Sequence, residues 1–215
     1  MHLASLQIGR VRTNDGPGGP PRTAILKVPV EGPLRATRLG LVGDEVNDTR
    51  HHGGPDRAVL FASRATYPVF EARLGRPLAP GAFGENLTVD GPSDADVCIG
   101  DRWRVGEAEF EVSSPRSPCG TLARHLADPG AVEAIGEPHR AGWYARVLVE
   151  GLVRAGDALT LLARSNPGWT VVRIAAAKRD GASPDVARAI AALAGLAEPW
   201  LSRFRERAAS GGRAS

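Results

Sequence analysis

The chain has 215 residues, 42% of them hydrophobic, with 27 basic and 24 acidic side chains, a net charge of +3 and two cysteines. That length and apolar content suffice for a packed core and exclude general disorder, and two cysteines exclude a disulfide scaffold. No apolar run approaches a membrane span, and residues 1–8 lack a basic leader and a long apolar core, so the expectation is a soluble protein of the reducing cytoplasm.

In chain order, a strand is expected over 3–11 and a second over 23–30, separated by Gly16-Pro17-Gly18-Gly19-Pro20-Pro21, which cannot be regular structure. Short β-like runs follow at 34–39, 58–62, 86–89, 102–105, 107–113, 143–149 and 158–162. Their spacing suggests a mixed or antiparallel barrel. Gly100-Asp101 and Gly156-Asp157 supply turns before two of these runs. Ser63 can cap a helix running toward Leu74, with Pro68 delaying or kinking its start, and 121–126 reads as a short helix.

After Arg164-Ser165-Asn166-Pro167-Gly168 the pattern changes to helices at 170–178, 184–196 and 199–209, with Ser183-Pro184 and Glu198-Pro199 as starts. The expected organisation is therefore a β-barrel domain over 1–164 and a small three-helix domain over 165–215, frayed after Ser210. Residues 164–215 carry nine basic and four acidic side chains, against 18 and 20 in 1–163. Without interleaved aromatics or a nucleic-acid motif, this basic segment reads as a solvated helical surface, so nucleic acid is not an expected partner.

Three clusters carry chemistry. Cys119 stands in Ser113-Ser114-Pro115-Arg116-Ser117-Pro118-Cys119-Gly120, at the end of an alternating strand and the start of a helix. Helix amides and a guanidinium beside a thiol stabilise its anion, so this cysteine reads as reactive rather than inert. In His51-His52-Gly53-Gly54-Pro55-Asp56-Arg57 the glycines allow close backbone approach to a ligand. The histidines can donate, accept or ligate, Asp56 can orient one of them, and Arg57 can pair with an anion. The turn Gly81-Ala82-Phe83-Gly84 delivers Glu85 and Asn86 to the mouth of a strand, and Arg146 is a charge in an otherwise apolar strand. Each cluster also has a plain reading: a buried cysteine, a capped hairpin, a self-satisfied turn and an outward-facing arginine.

These stretches, together with Asp96-Val97-Cys98-Ile99-Gly100-Asp101 and Gly142-Trp143-Tyr144-Ala145-Arg146-Val147, resemble the MOSC domain, the C-terminal domain of molybdenum cofactor sulfurases, and in particular its YiiM-like branch. The resemblance implies a mainly β, MOSC-type barrel with peripheral helices and a pocket for the molybdenum cofactor, molybdopterin, with Cys119 as the molybdenum or sulfur ligand. It further implies that Cys119, His52 and Asp56 act in catalysis. The cofactor would be bound by His51, His52, Gly53, Asp56, Arg57, Glu85, Asn86, Arg116 and Arg146. That branch often has a basic residue just after its cysteine, where this chain has Thr121.

The activity implied is reduction of small N-hydroxylated compounds, such as base analogues. The chain has no dinucleotide fingerprint and no iron–sulfur cysteine set, so electrons must come from a separate redox protein, which the basic tail could dock. The alternative is a non-redox carrier of the cofactor or of sulfur on Cys119. Only Lys27 and Lys178 are present and no pyridoxal-phosphate domain fits, so the chain would not generate that sulfur itself. A zinc site from His51, His52 and Cys119 is disfavoured because adjacent histidines rarely converge on one tetrahedral ion. A homodimer is compatible with the sequence.

Overall fold

The computed structural model describes residues 1–13, 22–49, 52–117, 119–136 and 140–210. The expected loop at 16–21, His51 and the expected frayed end after Ser210 lie outside the described residues. The strands are β1 (His2–Ile8), β2 (Arg12–Thr13), β3 (Arg22–Thr23), β4 (Val28–Pro29), β5 (Leu34–Thr37), β6 (Gly40–Leu41), β7 (Val59–Ser63), β8 (Leu87–Asp90), β9 (Arg102–Val105), β10 (Ala108–Pro115), β11 (Trp143–Val149), β12 (Gly151–Val153) and β13 (Leu159–Ala163). The helices are α1 (Tyr67–Leu74), α2 (Gly120–Leu126), α3 (Ala131–Gly136), α4 (Val171–Asp180), α5 (Pro184–Ala191) and α6 (Glu198–Ser210). No helix among the described residues is long and apolar enough to cross a membrane.

The fold is mainly β with helices, as the strand spacing implies. Eight strands form one mixed sheet in the order β13-β9-β10-β11-β7-β8-β1-β4, antiparallel except for β7 beside β8. The ladder is not continuous all round. Its far sides are joined instead where His2 bridges Ala158 and where Leu3 and Met1 exchange backbone bonds with Gly156, Asp157 and Leu159 at 2.7–3.1 Å. Alternation along β10 turns Ala108, Phe110 and Val112 inward. Phe110 meets Phe61 edge-on at 5.3 Å, and Phe61 stacks on Trp143 at 5.9 Å, which fills the curl of the sheet.

The expected strand over 23–30 is broken. Only its ends pair, β3 with β2 and β4 with β1, and a tight turn in which Lys27 N–H bonds Ile25 C=O carries 24–27 away from any ladder. Pro68 sits in the first turn of α1, where its missing N–H costs nothing, after Ser63 has accepted the Ala65 N–H at 3.3 Å. α3 had no counterpart in the sequence reading: its six residues bury only Ala131 and Ile135. α5 begins at Pro184 with Ser183 accepting Val186 N–H, but ends at Ala191 rather than 196, because the chain turns through Gly195 at φ 83° to bring Leu193 and Leu196 down onto the sheet.

Val171, Ile174, Ile190, Leu196, Trp200 and Phe204 belong to the same buried cluster as Val97, Ile99 and Phe110. The change at Ser165 is thus a change of secondary structure and not a gap in the core. A second cluster, under α1, α2 and α3, is built on Tyr67, Phe70, Phe83, Leu122 and Leu126.

Asp94 lies beneath the sheet, 3% exposed, and its Oδ1 accepts the N–H of Gly142 at 2.8 Å. Gly142 is required there: at φ 84°, a Cβ would lie 2.0 Å from Phe61 O. Burial pushes the Asp94 carboxyl up to about 6 from its ordinary 3.8, outweighing that hydrogen bond and the Arg140 charge. A raised carboxyl means that the native state holds the proton between those values while the unfolded chain releases it. Stability therefore falls as pH rises from about 4 to about 6, and the ionised form is fully penalised above that. Asp94→Asn keeps the acceptor, so it is expected to be more stable than the parent at pH 8, by up to about 3 kcal/mol, with the gain vanishing toward pH 4. Urea unfolding at both pH values measures this, and a gain that ignores pH would remove Asp94 as its source.

Candidate functional site

The unpaired stretch 24–27, residues 44–48, His52 and Gly53, the turn Pro55–Arg57, the end of β10 and one face of β11 surround a cavity of about 260 Å³. Two consecutive residues at positive φ, Gly53 at 76° and Gly54 at 79°, bend the chain between His52 and Arg57, and both side chains reach the cavity wall.

Cys119 lies on that wall at the junction of β10 and α2. Its backbone is extended, φ −135° and ψ 160°, and its C=O accepts Leu122 N–H at 3.0 Å to start the helix, while the thiol makes no cap bond. The residue is half-buried, packed in part against the second core cluster and otherwise facing the cavity.

Arg116, three residues earlier, is 5% exposed and also lines the cavity. Its Nη1 is buried with no hydrogen-bond partner, an arrangement that costs several kcal/mol for a charged donor unless an acceptor arrives. Its guanidinium charge also acts on the Tyr144 phenol. Burial pushes that phenol up, with the charges of Arg116 and Arg57 pulling it back, so Tyr144 keeps its proton at neutral pH. The Arg57 guanidinium stands 5.9 Å from the Tyr144 ring centre. One pole of the cavity is therefore a thiol beside two guanidinium groups and a protonated phenol.

The opposite wall is a locked polar strut. Lys27 pairs with Asp44, whose carboxylate also accepts Gly9 N–H at 2.7 Å and Asn86 Nδ2 at 2.9 Å. Asn86 Oδ1 accepts Leu60 N–H at 3.1 Å, so its amide holds strands together as well as facing the cavity. Burial lowers the Lys27 ammonium more than Asp44 and Glu85 raise it.

Of the residues expected at the site, the structure brings His52, Gly53, Arg57, Asn86, Arg116 and Cys119 to one cavity. Three others lie elsewhere. Glu85 is fully buried beneath the turn that carries it, accepting from Gly81 N–H, Phe83 N–H, the Thr88 hydroxyl and the Tyr67 hydroxyl. Asp56 and Arg146 pair with each other, Oδ1 to Nε at 2.6 Å, and Arg146 continues to Glu111 at 2.9 Å and Gly195 C=O at 2.6 Å. That node ties the sheet to the segment after α5. His51 lies outside the described residues. Tyr144, Asp44 and Lys27 escaped the sequence reading. Tyr144 shares the outward face of β11 with Arg146, and the charge of Arg146 drew the attention that the phenol merited.

Residues 48–160 match the family model of the MOSC domain. The chain belongs to the MOSC domain family. Among its relatives, the protein YflK of Bacillus subtilis is 37% identical, covering 95% of this chain and 93% of that one. The protein YiiM of Escherichia coli is 35% identical, covering 91% and 88%. A protein of Gibberella moniliformis named a reductase is 36% identical over 80% of this chain, which spans 31% of that longer protein. The crystal structure of YiiM from Geobacillus stearothermophilus superposes with a TM-score of 0.82 at 29% identity, covering 96% of this chain and 98% of that one. Within this MOSC protein, Arg57, Asn86, Arg116, Cys119 and Tyr144 all fall inside the matched residues, whereas α4, α5 and α6 lie beyond them.

Proposed function

We propose that this MOSC protein binds the molybdenum cofactor in the Cys119 cavity and reduces small N-hydroxylated compounds with electrons from a separate donor protein. The observation that supports this most is one cavity wall holding both the Cys119 thiol and the partnerless, buried Nη1 of Arg116. The donor set fits molybdopterin at both ends. Molybdenum in that cofactor is held by soft sulfur, to which a protein thiolate adds naturally, and the pterin phosphate needs charge-assisted donors. Bound there, the cofactor supplies a metal centre that exchanges two electrons.

Cys119 Sγ would be the protein donor to molybdenum, and Arg116 and Arg57 would hold the phosphate. The Gly53 backbone and His52 line the approach. Tyr144 keeps its proton at neutral pH, so its O–H can donate to the bound ligand. The overall change, R–NHOH + 2 e⁻ + 2 H⁺ → R–NH2 + H2O, consumes two electrons that this chain has no second centre to store. A separate electron donor fits a sequence without a dinucleotide fingerprint. The relative named a reductase points to the same class of chemistry.

Protein purified from a molybdenum-replete host should contain molybdenum and pterin, and should turn over an N-hydroxylated base with a chemical reductant. Arg116→Gln should melt normally and retain ten- to a hundredfold less cofactor, about the worth of one charge-assisted hydrogen bond. Absence of molybdenum and pterin from the parent protein would sink the reading. Bound cofactor without turnover would leave Cys119 in a carrier.

A further inference from the structure

Lys27 ends the unpaired stretch 24–27 and lines the same cavity as Cys119. Its stem is clamped between two glycines: a Cβ on Gly9 would lie 3.0 Å from Lys27 Cδ, and one on Gly81, at φ 93°, would lie 2.9 Å from Lys27 Cβ. Asp44 takes its ammonium, and the two side chains are 8% and 10% exposed. The charge is thus held at one point of the wall rather than free to sweep the cavity.

Stability alone does not call for this pair, because the desolvation of two buried charges offsets their attraction and apolar side chains of similar volume serve as well. The partners are also unequally satisfied. Asp44 accepts from Gly9 N–H, Asn86 Nδ2 and Lys27 Nζ. Among the described residues Lys27 donates only to Asp44, although an ammonium carries three donors. The anion is saturated, and the cation keeps N–H groups for a ligand in the cavity. Burial lowers this ammonium even against the carboxylates of Asp44 and Glu85, which eases the loss of a proton. Tyr144, a second donor on the wall, is shifted the opposite way and holds its proton more firmly.

We propose that Lys27 is the acid of the reaction, giving a proton from Nζ to the substrate's nitrogen as the N–O bond breaks. This role rests on the proposed reductase. The two electrons come from the separate donor protein and enter the N–O bond. The nitrogen takes the Lys27 proton and becomes the amine, while the oxygen takes a second proton from solvent and leaves as water. Lys27 then regains its proton from solvent. Asp44 and Asn86 are positioning residues: they fix the ammonium, and Asn86 is itself fixed by Leu60 N–H at 3.1 Å.

The test compares the parent holoenzyme with Lys27→Arg and Lys27→Gln, each of which keeps a donor for Asp44 but cannot release a proton at neutral pH. Melting temperature, molybdenum content, and kcat and KM with dithionite are measured on N-hydroxyaniline and its 4-cyano analogue, whose nitrogen carries negative charge more easily. Both variants should melt and hold molybdenum like the parent, with KM little changed and kcat on N-hydroxyaniline down about a hundredfold or more, the usual worth of a general acid. The kcat ratio of the cyano compound to N-hydroxyaniline should be at least about tenfold larger in the variants, because a nitrogen that leaves unprotonated depends on its substituent. Should Lys27→Gln fail to fold, Lys27→Arg, which also keeps the charge, decides. A kcat near the parent's, or a loss confined to KM, would overturn the acid, as would a lower kcat with an unchanged substituent ratio, which would make Lys27 a positioning residue. Lost molybdenum would assign Lys27 to the cofactor instead. A parent that holds molybdenum yet reduces neither compound overturns the reductase and the acid together, whereas an active parent with equally active variants overturns the acid alone.

Discussion

Cys119→Ser is expected to melt like the parent protein and to show no measurable reduction of N-hydroxylated substrates. The exchange replaces a soft, ionisable sulfur with a hard, protonated oxygen at the cavity position proposed to hold molybdenum. Folding should not suffer. The thiol makes no cap bond, the residue is only partly packed against the second core cluster, and serine is itself a preferred start to a helix. Cys98→Ala is the matched control. That thiol is 1% exposed, pushed up by burial and by the Asp101 carboxylate, and lies away from the cavity, so activity should persist with a modest loss of stability. Thermal melts, molybdenum content and turnover on the three proteins separate the cases, and full turnover by Cys119→Ser would end the assignment of Cys119 as the metal's protein donor.

Six of the expected residues line the candidate cavity because the signals that mark them are local. A proline-flanked cysteine, a Gly-Gly turn between His52 and Arg57, and a strand-entry asparagine each announce a constrained backbone within a few residues. What it could not show depends on partners distant along the chain. Asp56 and Arg146 stand in suggestive motifs, yet they are 90 residues apart and bond each other and Gly195 C=O, which only the fold brings within 2.6 Å. Glu85 reads as a ligand on the rim, whereas four donors from its own turn and from Tyr67 and Thr88 bury it completely. Lys178 is sequence-distant from Ser117 by 61 residues, so nothing in the helical pattern around it marks their hydrogen bond two residues before Cys119. The β-rich architecture was legible from alternation and turn residues. The breaks at 24–27 and at Ala192 were not, since there the chain gives up regular pairing to meet a cavity or the core.

Ending the chain at Ala163 is expected to leave a protein without a cooperative thermal transition, although the shift from strands to helices at that point reads as a domain boundary. Backbone bonds cross the join: Ile99 N–H to Trp169 C=O at 3.0 Å, Val171 N–H to Val97 C=O at 2.8 Å, and Ala197 N–H to Ser113 C=O at 2.8 Å. Truncation would also strip Arg164 from Asp101, a fully buried carboxylate whose other partner is the Cys98 N–H, and a buried charge that loses its ion partner costs about 3–5 kcal/mol. It would expose the sheet face covered by Ile174, Ile190, Trp200 and Phe204, each 6% exposed or less. Removing one such aromatic, as in Trp200→Ala, costs about 3–5 kcal/mol, within the 5–15 kcal/mol that holds a typical domain together. Circular dichroism melts of the truncated chain measure this directly. A sharp transition with cofactor still bound would show that α4, α5 and α6 are a separable unit resting on a self-sufficient sheet; a broad, non-cooperative melt, rescued when 164–215 is restored, would show that these helices complete the core on which the cavity is built.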